Sequence, residues 1–226
     1  LTAFNALASD PGVKSSGQAI PVNVRPRLEK GAAYESLRST VSSLHPNQDW
    51  PTYRHDASRS GHSPTAVPAT LEPRWRTRLT TQASPPVIVG GQVFVADKDA
   101  HAVCALNAAD GNIQWTYTTG GRVDSPPTFH QGRLLFGSHD GWVYCLRATD
   151  GALLWRFKAL PDRLMCAYEQ VESAWPVCGS ILVHDKVAYF VAGRNSFVDG
   201  GLFLFGLDPR TGRMIHQRNL YGPYGQ

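Results

Sequence analysis

Apolar and polar residues alternate in short runs through the later part of the chain, and each run stops at a glycine-containing turn. Val87-Ile88-Val89, Val93-Phe94-Val95, Val103-Cys104-Ala105-Leu106 and Ile113-Gln114-Trp115 form one such series, with Gly90-Gly91 and Asp110-Gly111 among the breaks. Alternation with period two and glycine at the reversals predicts antiparallel strands joined by tight hairpins. The series then recurs. Ser84-Pro85-Pro86 through Val95 parallels Ser125-Pro126-Pro127 through Phe136, and Cys104 through Trp115 parallels Cys145 through Trp155 with one residue fewer. Trp75, Trp115 and Trp155 stand forty residues apart, a period that fits four-stranded blades stacked side by side.

Two compact blades are expected over about 84–118 and 125–158, and a third over about 175–218, where His216 takes the tryptophan position. Arg74 to Leu79 reads as the outer strand of an incomplete blade. The predicted fold is all-β: a partial β-propeller of three complete blades plus one outer strand. Propellers close with about four to eight blades, so further blades are expected from the same or another chain, in a ring of roughly seven or eight. Residues 49–226 are assigned to the blades and their lead-in. Residues 1–48 read as an irregular linker or the end of an upstream domain, in which Leu28, Tyr34, Leu37, Val41 and Leu44 are spaced for one face of a short helix. The first residue is Leu1, and the chain is expected to be processed or to belong to a longer polypeptide.

The phrase Ala105-Leu106-Asn107-Ala108-Ala109-Asp110-Gly111-Asn112-Ile113-Gln114-Trp115, echoed at 146–155 and 207–216, resembles the tryptophan-docking motif of the pyrroloquinoline-quinone (PQQ) type β-propellers. The stretch Asp49 to Ser63 resembles the lead-in segment of that superfamily. The likeness covers about 49–218. Its physical sense is local: Gly111, Gly151 and Gly212 allow a tight reversal, and Trp75, Trp115 and Trp155 offer rigid surfaces that seal one blade against the next. Two branches are relevant, the quinoprotein alcohol dehydrogenases and the protein-binding propellers of the bacterial outer-membrane assembly lipoprotein type, and the chain is closer to the second. That resemblance implies a bacterial protein that is periplasmic or associated with the cell surface.

Composition narrows the function classes. With 42% hydrophobic and 18% charged residues the chain can bury a core. Its net charge of +4 is spread without a basic block, so no nucleic-acid partner is expected. No apolar run approaches the roughly 18 residues that span a bilayer, so no transmembrane segment is expected. Cys104 and Cys145, at matching repeat positions, read as small buried hydrophobes; Cys166 and Cys178 read as either a disulfide or free thiols. Phosphate-loop, metal-helix and nucleophile-elbow motifs are absent from the sequence.

In a propeller, the loops between second and third strands and those between blades share one face. That rule groups Arg122, His139, Glu172, Trp175, Arg194 and Asn195 as candidate ligand-binding residues, with long insertions at 159–174 and 193–201 on the same side. The main reading is a non-enzymatic binding or scaffolding module of a larger bacterial protein, whose loop face takes a protein or small polar ligand. No cofactor is expected under it. The alternative is a fragment of a PQQ-dependent alcohol or sugar dehydrogenase. Under that resemblance Glu172 and Asn195 become calcium or quinone ligands, and Asp124 or Asp140 the base. The adjacent cysteine pair common in such enzymes does not occur.

Overall fold

The computed structural model describes residues 27–36, 49–80, 82–167 and 169–222. Its first strand, β1 (Leu28–Lys30), precedes three meandering antiparallel blades. Blade 1 comprises β2 (Val87–Val89), β3 (Gln92–Asp97), β4 (Ala102–Asn107) and β5 (Ile113–Thr118). Blade 2 comprises β6 (Thr128–His130), β7 (Arg133–Gly137), β8 (Trp142–Arg147) and β9 (Leu153–Lys158). A hairpin, β10 (Leu164–Ala167) and β11 (Gln170–Ser173), fills the first insertion. Blade 3 then follows as β12 (Leu182–His184), β13 (Val187–Ala192), β14 (Leu202–Leu207) and β15 (Met214–Leu220). The all-β partial propeller is therefore present, and the last strand of blade 3 runs on to Leu220, past the expected 218.

The tryptophans join consecutive blades by one repeated device. Indole Nε1 of Trp75 donates to the Ala108 carbonyl at 2.9 Å, that of Trp115 to Ala148 at 3.1 Å, and that of Trp155 to Pro209 at 3.3 Å. Each ring then lies against the next blade's turn glycine. A Cβ on Gly111, Gly151 or Gly212 would come within 2.5–2.7 Å of the indole of Trp75, Trp115 or Trp155 respectively. All three glycines also have positive φ, from 71° to 75°. The position thus demands glycine twice, once for the backbone and once for the ring. Between blades 2 and 3 the core contains Trp155, Phe157, Phe190 and Phe205, with Phe190 stacked on Phe205 at 5.1 Å.

Two segments differ from expectation. The stretch Arg74 to Leu79 carries Trp75 into its docking position but has no strand assignment, because no ladder partner for it lies among the described residues. Leu28 belongs to a strand rather than to a helix face. β1 adds antiparallel to the outer edge of β9, with Glu29 opposite Arg156, and turns follow through 36. The unpaired edge of β9 supplies hydrogen bonds that a short helix lacks in isolation. Leu37, Val41 and Leu44 lie outside the described residues.

The lead-in strings the blades together on their inner edges. Trp50 forms a bridge with Ile88, and Asp49 Oδ1 accepts the Gly90 N–H at 2.9 Å. Phe129 N–H donates to the Pro51 carbonyl, while Thr52 Oγ1 meets Thr128 Oγ1 at 2.9 Å. Arg59 reaches Ser180 Oγ at 3.2 Å.

Candidate functional site

Blade connections bring a charged cluster together from positions far apart in sequence. Arg122 and Asp124 come from the link between blades 1 and 2, His139 from the β7–β8 turn, Glu172 from β11, and Arg194 from the loop after β13. Backbone hydrogen bonds fix the set: His139 N–H to Arg122 O and Ser173 N–H to His139 O, both at 2.8 Å.

Glu172 is the hub, with a side chain wholly withdrawn from solvent. Its Oε2 accepts from Arg194 at 2.6 Å; its Oε1 lies 3.0 Å from His139 Nδ1 and 3.3 Å from Arg122 Nε. His139 Nε2 meets Asp124 Oδ2 at 2.7 Å. Burial alone would lower the His139 pKa, but the hydrogen bond to Asp124 and the nearness of Cys178 and Glu172 prevail and raise it to about 10. The hydrogen bond from His139 lowers the Asp124 carboxyl. Burial pushes Glu172 up, and the hydrogen bonds from Arg194 and His139 with the charge of Arg122 pull it to a net lowering.

Asp140, Trp175 and Asn195 lie beside the cluster but bond elsewhere. Asp140 Oδ2 accepts from Gly120 N–H at 2.9 Å and from the Tyr144 hydroxyl at 2.6 Å, and its Oδ1 accepts from Trp142 N–H at 3.0 Å. Asn195 Oδ1 accepts the Phe197 N–H at 2.8 Å, a side chain closing its own turn. Trp175 Nε1 donates to the Asp199 carbonyl at 2.6 Å, and the Arg163 guanidinium stands over its ring.

Sequence reasoning did not place Cys178 beside His139. It lies 39 positions downstream, and only the packing of blade 3 on blade 2 joins them. Cys178 and Cys166 are both free thiols, which resolves the alternative left open above.

The insertions form a clasp over this face. Arg163 pairs with Asp199 at 2.8 Å, linking the β10–β11 hairpin to the loop before β14. At the hairpin's other end Gln170 meets His101 of blade 1 at 3.0 Å. Leu164, Val171, Phe197 and Val198 remain 49–65% exposed on this clasp.

The donor set does not suit calcium. Three cations, Arg122, Arg194 and His139, surround two carboxylates, and both Glu172 oxygens already face cations. A divalent ion there would meet a net positive surround. Among the described residues no group of three or more His, Cys, Asp or Glu side chains could hold a metal.

Four-stranded blades, the tryptophan ladder and the lead-in across the inner strands define a PQQ-like β-propeller segment. The chain belongs to the family whose model is described as outer membrane protein assembly factor BamB, which matches residues 65–226. It is 26% identical over 202 residues to the dehydrogenase subunit of a quinone alcohol dehydrogenase from Gluconobacter oxydans, covering 79% of this chain and 25% of that protein. It is 30% identical over 97 residues to outer membrane protein assembly factor BamB of Nitrosomonas eutropha, covering 43% of this chain and 24% of that protein. Among solved structures, the quinohemoprotein alcohol dehydrogenase of Comamonas testosteroni matches with a TM-score of 0.62 at 18% identity, over 82% of this chain and 29% of that one. The chain therefore spans about a quarter of the length of these curated relatives.

Proposed function

We propose that this segment serves a non-enzymatic binding or scaffolding propeller in a larger bacterial protein, and that its loop face docks a protein partner. The observation that carries the reading is the clasp of two insertions, which holds Leu164, Val171, Phe197 and Val198 in solvent above a cluster whose opposite charges already face one another. Apolar side chains kept exposed by an ion pair mark a surface shaped for contact. Arg122, His139, Glu172 and Arg194 set the rigid floor beneath it, and Trp175 and Asn195 shape its rim. A periplasmic or cell-surface location fits the family membership.

Photo-crosslinking from position 164 or 197 in cells of the source organism tests this. A discrete adduct, lost when Val171→Asp and Val198→Asp are added in a protein whose melting midpoint is unchanged, is the expected result. Absence of any adduct at both positions overturns it.

A second reading, a segment of a quinone-dependent dehydrogenase, is favoured by the long alignment to the Gluconobacter oxydans subunit. The charge of the cluster opposes its calcium requirement. Quinone- and calcium-dependent dye reduction by the full-length protein would establish that reading in place of the first.

A further inference from the structure

The inner strands of the three blades present the same backbone position to the lead-in side. Ile88, Phe129 and Val183 correspond by register, pairing with Val93, Leu134 and Ala188 of the second strand in their blades. At the first two positions the lead-in supplies extended chain. Ile88 N–H donates to the Trp50 carbonyl at 2.9 Å and its carbonyl accepts the Trp50 N–H at 2.6 Å; Phe129 N–H donates to the Pro51 carbonyl at 2.7 Å. The lead-in then leaves the series. Arg54 and His55 take left-handed φ of 56° and 78°, and the chain folds back through His55 N–H to Thr52 O and Gly61 N–H to Arg54 O. Two consecutive non-glycine residues in that region are costly and persist only where their surroundings hold them.

By the same register the Val183 N–H points toward that side, and among the described residues no acceptor meets it there. A cavity of about 310 Å³ lies at this point, walled by Pro51 and Ala57 of the lead-in, Phe129 and His130 of β6, and Leu182 and Val183 of β12. It adjoins the β6–β7 turn, at the opposite end of β7 from His139, and so is separate from the charged cluster. Burial, helped by the charge of Arg133, lowers the His130 pKa, which keeps this imidazole neutral near pH 7 and compatible with apolar walls. Asp56 stands at the rim, and hydrogen bonds from Ser60 bring its carboxyl down to about 2, so its negative charge persists.

We infer that this cavity docks a partner protein's peptide: a short, extended, uncharged segment in which an apolar residue precedes proline. It continues across blade 3 the contact that the lead-in makes on blades 1 and 2, by addition of backbone to a strand edge. The proline carbonyl accepts the Val183 N–H, as Pro51 accepts from Phe129. Proline brings no N–H that would need an acceptor, and it biases the residue before it toward extended chain. The preceding apolar side chain fills the space between Ala57, Phe129 and Leu182. A terminal carboxylate would meet Asp56, so the segment is internal to the partner's chain.

The probe is acetyl-Ala-photoleucine-Pro-Ala-amide, a blocked peptide with a diazirine in its leucine analogue, irradiated with the full-length protein. Peptide mass spectrometry is expected to place adducts within 182–184 or at Ala57, and excess acetyl-Ala-Leu-Pro-Ala-amide to remove them. The free-acid form of the probe is expected to label less than the amide. Val183→Pro deletes the N–H at issue, which lies on the side of β12 away from β13, and labelling should fall about tenfold, the worth of one hydrogen bond. Ala57→Trp fills the cavity from an exposed position and should abolish labelling with an unchanged melting midpoint. Adducts that are absent, confined to the clasp around Leu164, or undiminished in Ala57→Trp would overturn the inference. Undiminished labelling of Val183→Pro would overturn the strand-edge geometry.

Discussion

Trp155 is completely buried, and its ring fills the space above Gly212 between blades 2 and 3. Replacement by alanine removes that contact and leaves a void, at a cost of about 3–5 kcal/mol. Gly151→Ala attacks the same kind of joint from the other side: the new methyl overlaps the Trp115 ring at a φ of 72°. Loss of about 1–3 kcal/mol is expected, and urea titration of both variants checks it, since an unchanged midpoint would mean the rings do not seal the blades. The His139 pair behaves oppositely to an ordinary carboxylate. Its pKa rises on folding from 6.5 to about 10, so its contribution is full below the lower value and disappears as pH climbs through the upper one. Asp124 and Glu172 are lowered in the fold, and their contributions disappear as pH falls. Stability measured from pH 6 to 10 should therefore decline, and His139→Gln should flatten that decline. Equal slopes would remove the network from the account.

At the scale of elements, the repeat was legible because two copies carry the same alternation, turn glycines and tryptophan. Strand bounds such as Val87–Val89 and Thr128–His130 follow from that pattern. β1 was not legible. Leu-Glu-Lys has no strand signature of its own, and only the free edge of β9 gives it a partner. The same limit applied to the site. The topological rule grouped Arg122, His139, Glu172 and Arg194, which do meet, but also Asn195, whose short side chain bonds its own turn. Which loop residue reaches across and which folds back depends on local geometry that spacing does not encode. For β1 a direct test exists. A Cβ on Gly31 would collide with the Leu153 carbonyl, so Gly31→Val should lift β1 from β9. Hydrogen exchange at Leu153–Lys158 is expected to accelerate while β7 and β8 stay protected. Unchanged exchange along β9 would mean that β1 does not guard this edge.

Across the whole molecule, three blades leave two flanks that a closed ring would cover. On the blade 1 side, Trp75, Leu79, Val93, Val95 and Leu106 line a cavity of about 350 Å³. On the blade 3 side, register decides which residues face outward. Phe190 and Phe205 pair with each other and pack toward blade 2, so the alternate rows face away: Tyr189 with Gly206 and His216, then Val191 with Leu204. Val191 and Leu220 are each 40% exposed there. His216 stands on the row where earlier blades present tryptophan, which makes this flank the place where the next blade would dock. An apolar flank of this kind, shaped to receive a blade, is also able to receive a second copy. The isolated 226-residue chain is accordingly expected to associate with rising concentration, and Val191→Lys with Leu204→Lys to shift it toward monomer. Sedimentation velocity over a hundredfold concentration range reads this directly. A wild-type chain that stays monomeric throughout would mean that the flanks are less adhesive than their composition requires, and that blade docking draws its energy from the tryptophan joints alone.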